Sequence, residues 1–219
     1  MPRQLTFNLP FRINRTRGDF FLSDANQLAV NRLDAVETWP NAKLILIGPQ
    51  GSGKTHLAHL WAETQNAQLL TTADLTTRDI PSITTPLAIE AETLTQAQEE
   101  PLFHTHNHLA AQSLPLLLIA RRPPKQWSLS LPDLKSRMEA SDTVRIQPPD
   151  DALLAAVMVK QFADRQIEVP PNVIAYLTTH MDRSFAEAER LVTALDQAAL
   201  AEGRAITRPL AQRVLDIPG

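Results

Sequence analysis

The chain has 219 residues, of which 43% are hydrophobic and 21% charged, so it is long enough for one domain with a sizeable core or for a domain with a small appendage. A net charge of −3 argues against a broad basic face and therefore against strong direct DNA binding. The chain has no cysteine, which excludes disulfides and thiolate metal sites, and no apolar stretch long enough to span a membrane. We expect a cytoplasmic protein.

The first two thirds of the sequence alternate between helical patterns and short apolar runs. Residues 1–18 predict a tail or a loose strand, and residues 23–39 an amphipathic helix. Further helices are expected over 54–65 and 94–112. The strand signals are KLILIG, AQLLT, PLAIEA, LPLLLIA and DTVRIQ. Strands that alternate with helices predict right-handed crossovers and a parallel sheet.

The pattern changes after Gln147, where the strand signals end. The remaining sequence predicts helices in PPDDALLAAVMVKQFADRQ, PPNVIAYLTTHM, SFAEAERLVTALDQAALAEG and TRPLAQRVLD. We therefore expect a leader over residues 1–18, an α/β base over 19–147 and a small all-helical domain over 148–219.

A phosphate-binding loop is the strongest motif in the sequence. GPQGSGKT fits the pattern G-x-x-x-x-G-K-[ST] and lies between a predicted strand and a predicted helix. Its glycines let backbone N–H groups surround a β-phosphate, while Lys54 supplies a cation for the β- and γ-phosphates. Thr55 offers a hydroxyl to Mg²⁺, and Glu90 is a candidate second metal ligand. The sequence predicts bound ADP or ATP with Mg²⁺ on Gly48, Pro49, Gln50, Gly51, Ser52, Gly53, Lys54, Thr55 and His56.

Several segments occur in the order found in the AAA+ ATPase domain of the bacterial initiator DnaA. They are DFFLSDANQLA, GPQGSGKTHLAHLW, RRPPKQW, LPDLKSRM and IQPPDDALLAAVMVKQFADRQIEVPPNVIAYLTTHMDRSF. The resemblance runs from about Asp19 to the C-terminus, without the helicase-interacting and DNA-binding domains of DnaA. A lone domain of this type behind a short leader resembles the Hda family, which inactivates DnaA after replication starts. The resemblance implies a P-loop AAA+ base followed by a helical lid.

The resemblance also implies roles for individual side chains. Phe21 and Leu22 match the segment that packs on the adenine, and Arg183 matches the lid arginine that reaches the chain's own nucleotide. Arg137, in DLKSRM, matches the arginine finger, which would act on the nucleotide of a neighbouring DnaA. A homodimer is a further possible assembly.

Two departures from the family pattern concern hydrolysis. The strand that carries Glu90 should end in a second acid that orients water, but Ala91 follows, and Glu92 stands one step further. The polar residue expected after the fourth strand is also replaced, by Ala120 and Arg121. We therefore expect weak or no intrinsic ATPase activity, and a nucleotide that acts as a signal.

The leader resembles the clamp-binding peptide of the Hda family. In RQLTFNLPF, Gln4, Leu5 and Phe7 would anchor the chain on the DNA polymerase sliding clamp, at the replisome and nucleoid, although Asn8 stands where a second hydrophobic residue is usual. A first strand or a simple tail is the alternative for this segment.

Two other functions stay open. A self-assembling active ATPase, such as a helicase loader, would also carry the phosphate loop. A direct binder of origin DNA is the second, and the net charge argues against it.

Overall fold

The structure is a computed structural model that describes residues 21–92 and 94–216. The described chain divides into two compact units. One unit contains residues 26–148, and the other contains residues 149–216 together with residues 21–25.

A five-stranded parallel sheet forms the centre of the first unit, in the order β2-β3-β4-β1-β5. The strands β1 and β4 are buried along their whole length, as their runs of Leu and Ile predict for a sheet with both faces covered. The strands are β1 (Lys43–Ile47), β2 (Gln68–Thr71), β3 (Leu87–Glu90), β4 (Leu116–Ala120) and β5 (Asp142–Arg145).

The helices of this unit are α1 (Gln27–Asp34), α2 (Lys54–Gln65), α3 (Gln96–Ala111) and α4 (Pro132–Ala140). The helix predicted over 23–39 is shorter than expected, because the backbone leaves helical geometry at Ala35 and continues as a 3₁₀ turn over Val36–Thr38. The helix α4 was not predicted, because only Leu134 and Met138 are buried in its polar sequence. Further 3₁₀ turns lie at Pro40–Ala42, Thr72–Asp74, Ile80–Ser82 and Pro124–Gln126.

The second unit is entirely helical in its described part, with α5 (Asp151–Asp164), α6 (Pro171–His180), α7 (Phe185–Glu202) and α8 (Arg208–Leu215). Asp150 and Ser184 cap α5 and α7 by accepting hydrogen bonds from backbone N–H groups of Leu153 and Glu187. The apolar faces of the helices meet in one core that includes Leu154, Met158, Phe162, Leu177, Leu191 and Leu195.

The fold class predicted from the sequence is therefore confirmed: a parallel α/β base precedes a small helical domain. None of the helices in the described residues is long and apolar enough to cross a membrane.

Candidate phosphate-binding site

The register of three adjacent strands brings the chemically important loops to one edge of the sheet. Ile47, the last residue of β1, lies opposite Ala120 at the end of β4, and Ile119 lies opposite Glu90 at the end of β3. The Gly48 N–H continues this pairing by donating to the Ala120 carbonyl at 3.2 Å. The segments that follow these strands therefore leave the sheet side by side, at its carboxyl edge.

The loop between β1 and α2 needs glycine for two different reasons. Gly51 and Gly53 have φ values of 75° and 85°, in the left-handed region that other residues rarely adopt. At Gly48 the constraint is space, because an added Cβ would lie 2.7 Å from Ser52 Oγ. The Ser52 hydroxyl is buried and has no hydrogen-bond partner among the described residues, so its hydrogen-bonding capacity is free to serve a phosphate oxygen.

An open cavity of about 310 Å³ lies against this loop and contains most of the residues predicted to bind phosphate. It is lined by Gln50, Gly51, Ser52, Gly53, Lys54, Thr55, Glu90 and Glu92. Gly48 and Pro49 begin the loop, and His56 lies in the first turn of α2. The unpaired Ser52 hydroxyl, the two left-handed glycines and the N-terminus of α2 fit a polyphosphate group.

Glu92 joins the phosphate loop to the end of β4. Its Oε1 lies 3.1 Å from Lys54 Nζ, and its Oε2 accepts a hydrogen bond of 2.6 Å from Arg121 Nε. Lys54 is only 4% exposed and also donates to the Pro49 carbonyl at 2.8 Å. Glu92 and Arg121, which stand where the sequence departs from the family pattern, therefore contact each other, and Glu92 also contacts the loop lysine.

The surroundings of Glu92 keep its carboxylate ionised. Partial burial acts to raise the pKa of Glu92, but the hydrogen bonds and charges of Arg121 and Lys54 outweigh it and hold the pKa below its ordinary value. A carboxylate therefore stands beside Lys54 at neutral pH, in a cavity that also fits the negative charge of phosphates.

Glu90 and Thr55 also face this cavity, where an Mg²⁺ ion bound with a nucleotide would find a carboxylate and a hydroxyl. Ala91 is buried at 5% exposure and offers no carboxylate. In the part of the chain that the structure describes, no group of three or more His, Cys, Asp or Glu side chains could hold a metal ion.

Arg137 is not among the cavity residues; it lies exposed in the last turn of α4. Its guanidinium carbon is 5.2 Å from the centre of the Phe103 ring, in a cation–π contact, and it forms no ion pair with residues 21–92 or 94–216. Lys43 and His106 are buried nearby, with Nζ of the first and Nδ1 of the second lacking a hydrogen-bond partner in the described chain.

These three residues form a cluster of positive and potentially positive groups, which we call the α3–α4 cation cluster (Lys43, His106 and Arg137). Burial, and then the charge of Arg137, lowers the pKa of Lys43. Burial, followed by the charge of Lys43, lowers the pKa of His106 to about 4, with a smaller contribution from Arg137 and an opposing hydrogen bond from Asn107.

A buried carboxylate fixes the start of the helix that carries Arg137. Glu99, which is 4% exposed, accepts hydrogen bonds from the backbone N–H groups of Ser130 and Leu131 at 2.6–3.0 Å and from the Ser130 hydroxyl at 3.0 Å. Its burial raises the pKa, but these hydrogen bonds more than offset that effect, so the pKa of Glu99 is lowered. Sequence reasoning missed this residue, because its partners lie some 31 positions away.

The remaining predicted residues fall elsewhere in the chain. Arg183 belongs to the helical unit, where its exposed guanidinium pairs with Asp151 at 3.1 Å. Phe21 packs in the same unit against Ala25, Leu153 and Phe185, while Leu22 is 41% exposed. Gln4, Leu5 and Phe7 lie outside the described residues.

The fold matches that of known replication initiators. The crystal structure of domain III of Thermotoga maritima DnaA superposes with a TM-score of 0.73, covering 94% of this chain and 98% of that one at 18% identity. DnaA of Cutibacterium acnes is 26% identical over 228 residues, covering 91% of this chain and 45% of that protein.

Residues 150–215, in the helical unit, match the family model described as Hda, lid domain. The helical unit is thus similar to the Hda lid domain, and the chain is similar to DnaA in sequence and in fold. AMPPCP-bound DnaA from Aquifex aeolicus has the same fold, with a TM-score of 0.63 at 17% identity over 83% of this chain and 65% of that one. The chain spans about half the length of the curated DnaA relative.

Proposed function

We propose that this chain is a nucleotide-binding adaptor of the Hda type that stimulates hydrolysis of ATP bound to DnaA. It would act together with the sliding clamp and so serve as a negative regulator of replication initiation. The observation that carries the proposal is Arg137, an exposed guanidinium on α4 that rests on Phe103 and has no carboxylate partner among the described residues. Such a group can stabilise charge that develops on a partner's γ-phosphate.

The chain's own cavity would hold ADP or ATP with Mg²⁺. The solved AMPPCP complex of a DnaA with the same fold supports nucleotide binding here. Backbone N–H groups of the loop and Lys54 would bind the phosphates, and Thr55 and Glu90 would reach the metal. Phe21 and Leu22 are proposed to contact the adenine, and Arg183 to sense the nucleotide.

This nucleotide is proposed to act as a signal, because the cavity lacks an acid directly after Glu90. The buried methyl group of Ala91 cannot orient a water molecule. The acid that activates water would then belong to DnaA, while this chain supplies the arginine.

Gln4, Leu5 and Phe7 are proposed to tether the chain to the clamp, where DnaA would meet it near the replication machinery. An extended peptide of this composition can dock with a polar side chain and two apolar side chains in adjacent pockets. Changing Gln4 and Leu5 to Ala should abolish capture of the chain by immobilised clamp; retained capture would contradict the tether.

The direct test is ATP hydrolysis by DnaA, measured with this chain and with or without clamp loaded on DNA. We expect hydrolysis to rise when both are present and to stay near the level of DnaA alone when either is omitted. Equal hydrolysis in all mixtures would contradict the proposal.

One observation favours a second function, that of a self-assembling active ATPase. Glu92 lies in the cavity beside Lys54, so it could orient water in place of the missing acid. Under this alternative, the purified chain turns over ATP on its own, activity rises with concentration, and Glu92→Gln abolishes it. Under the adaptor proposal, the purified chain hydrolyses little ATP, so Glu92→Gln has little effect on its turnover.

A further inference from the structure

The contacts of Lys54 identify an internal anion in the phosphate site. The Lys54 ammonium is nearly buried and is held by the Pro49 carbonyl on one side and by Glu92 Oε1 at 3.1 Å on the other. In the part of the chain described here, Glu92 is the only carboxylate that pairs with Lys54. Glu92 therefore satisfies the lysine in the way that a phosphate oxygen would.

Glu92 and the outer phosphates of a nucleotide cannot both neutralise Lys54 without strain. The lysine of this motif binds the β- and γ-phosphates, so these groups would approach the same nitrogen that Glu92 contacts. Two anions this close in a partly buried cavity repel each other, because water screens their charges only in part. Binding of a di- or triphosphate should therefore require Glu92 to leave Lys54.

Arg121 can keep the Glu92 carboxylate paired after it leaves Lys54. Its Nε already donates to Glu92 Oε2 at 2.6 Å, and it lies at the end of the neighbouring strand rather than in the phosphate loop. The Arg121 side chain is 49% exposed and Glu92 is 27% exposed, so both can move without disturbing the core. A carboxylate released from Lys54 would keep one charged partner.

We propose that Glu92 and Arg121 set the phosphate affinity of the nucleotide site. Glu92 competes with the β- and γ-phosphates for Lys54, and Arg121 weakens that competition by retaining the displaced carboxylate. The inference rests on the proposed nucleotide binding and adds two residues to the site.

The two residues should have opposite effects, which is the basis of the test. Isothermal titration of AMP, ADP and ATP, with Mg²⁺ present, gives the dissociation constants of the wild type and of variants. Glu92→Gln should tighten ADP and ATP by about fivefold, because a competing charge is lost. Binding of AMP should not change, because its single phosphate does not reach the lysine.

Arg121→Ala should weaken ADP and ATP by about threefold, because Glu92 then depends on Lys54 alone. The double variant E92Q/R121A should bind like E92Q, because Arg121 acts through the carboxylate. Glu63→Gln removes one exposed charge from α2, away from the cavity residues, and should leave the dissociation constants unchanged.

Three results would overturn the inference. Weaker binding in E92Q would mean that the carboxylate supports the nucleotide or its metal. An equal loss from R121A in both backgrounds would mean that Arg121 contacts phosphate directly. Unchanged affinities in all variants, with nucleotide bound by the wild type, would mean that the pair has no role; a wild type that binds no nucleotide would instead refute the proposed function.

Discussion

Charged groups are arranged in opposite ways at two places in the base unit. At the carboxyl edge of the sheet, the Glu92 carboxylate pairs with two cations, Lys54 at 3.1 Å and Arg121 at 2.6 Å. In the α3–α4 cation cluster, Arg137 stacks on an aromatic ring, and the buried Lys43 has no carboxylate partner in the described chain.

The difference separates a site that carries its own counter-charge from one that does not. Paired charges are stable without a ligand, and a ligand must displace one of them. A positive cluster without a counter-ion costs folding energy, and an approaching anion offsets that cost. We expect the first site to respond to the chain's own nucleotide and the second to respond to an anion supplied by a partner.

Lys54→Ala, at the first site, is expected to have the largest effect of these variants, on the affinity for nucleotide. Its removal takes away the cation for the outer phosphates, and affinity for ADP and ATP should fall by about 100-fold. Calorimetric titration measures the change, and circular dichroism should show an intact fold because Glu92 keeps Arg121 as a partner. Nucleotide binding at wild-type affinity would contradict the assignment of the loop.

His106→Gln tests the second site through the pH dependence of the unfolding free energy. The pKa of His106 is lowered from 6.5 to about 4 in the folded chain, so between these values the unfolded chain binds a proton that the folded chain does not. The wild type should therefore lose about 2–3 kcal/mol of unfolding free energy as the pH falls through this window.

The H106Q variant lacks the titrating imidazole. Its unfolding free energy should therefore fall by about 2–3 kcal/mol less than that of the wild type over the same pH range. Urea denaturation at several pH values measures the difference. His104→Gln is the matched control, because it also replaces a histidine of α3 with Gln, at a side chain that is 49% exposed. Parallel curves for H106Q and the wild type would show that His106 does not titrate as proposed.

Glu99→Gln is expected to loosen the start of α4. Gln can replace only some of the hydrogen bonds to Ser130 and Leu131, so unfolding free energy near neutral pH should fall by about 1–2 kcal/mol. Because the pKa of Glu99 is lowered, its stabilisation is present above the ordinary Glu pKa and is lost as the pH falls through the folded-state value.

Glu100→Gln serves as the neighbouring control, since the Glu100 side chain is 75% exposed and should change stability little. Urea denaturation of both variants gives the comparison. An equal loss of unfolding free energy in the two variants would show that Glu99 contributes no more to stability than the exposed Glu100.

Lys43→Met should have the smallest effect and the opposite sign. It replaces a buried amine that lacks a hydrogen-bond partner with an apolar side chain of similar length, so unfolding free energy should rise by about 1 kcal/mol. The pKa of His106 should rise at the same time, because the charge of Lys43 lowers it. Destabilisation of the variant would indicate that Lys43 supports the fold.

Local patterns in the sequence predicted much of the fold and the phosphate loop. Continuous Leu and Ile in β1 and β4 marked buried strands, and the spacing from Gly48 to Thr55 marked the loop between β1 and α2. These features depend on neighbouring residues, which is why periodicity and spacing reveal them.

Contacts between distant segments could not be predicted in the same way. Glu92 meets Arg121 because β3 and β4 pair in one particular register, and Glu99 meets Ser130 across 31 positions. The α3–α4 cation cluster likewise depends on the packing of separate elements around β1. Spacing along the chain carries no information about such contacts.

Hydrolysis of ATP by DnaA, in the presence of DNA-loaded clamp and either wild-type chain or Arg137→Ala, tests the central claim most directly. Arg78→Ala is the control, because it also removes an exposed arginine from the base unit. We predict that R78A stimulates hydrolysis like the wild type, whereas R137A binds its own nucleotide normally but stimulates about 1000-fold less or not at all. Full stimulation by R137A would contradict the account.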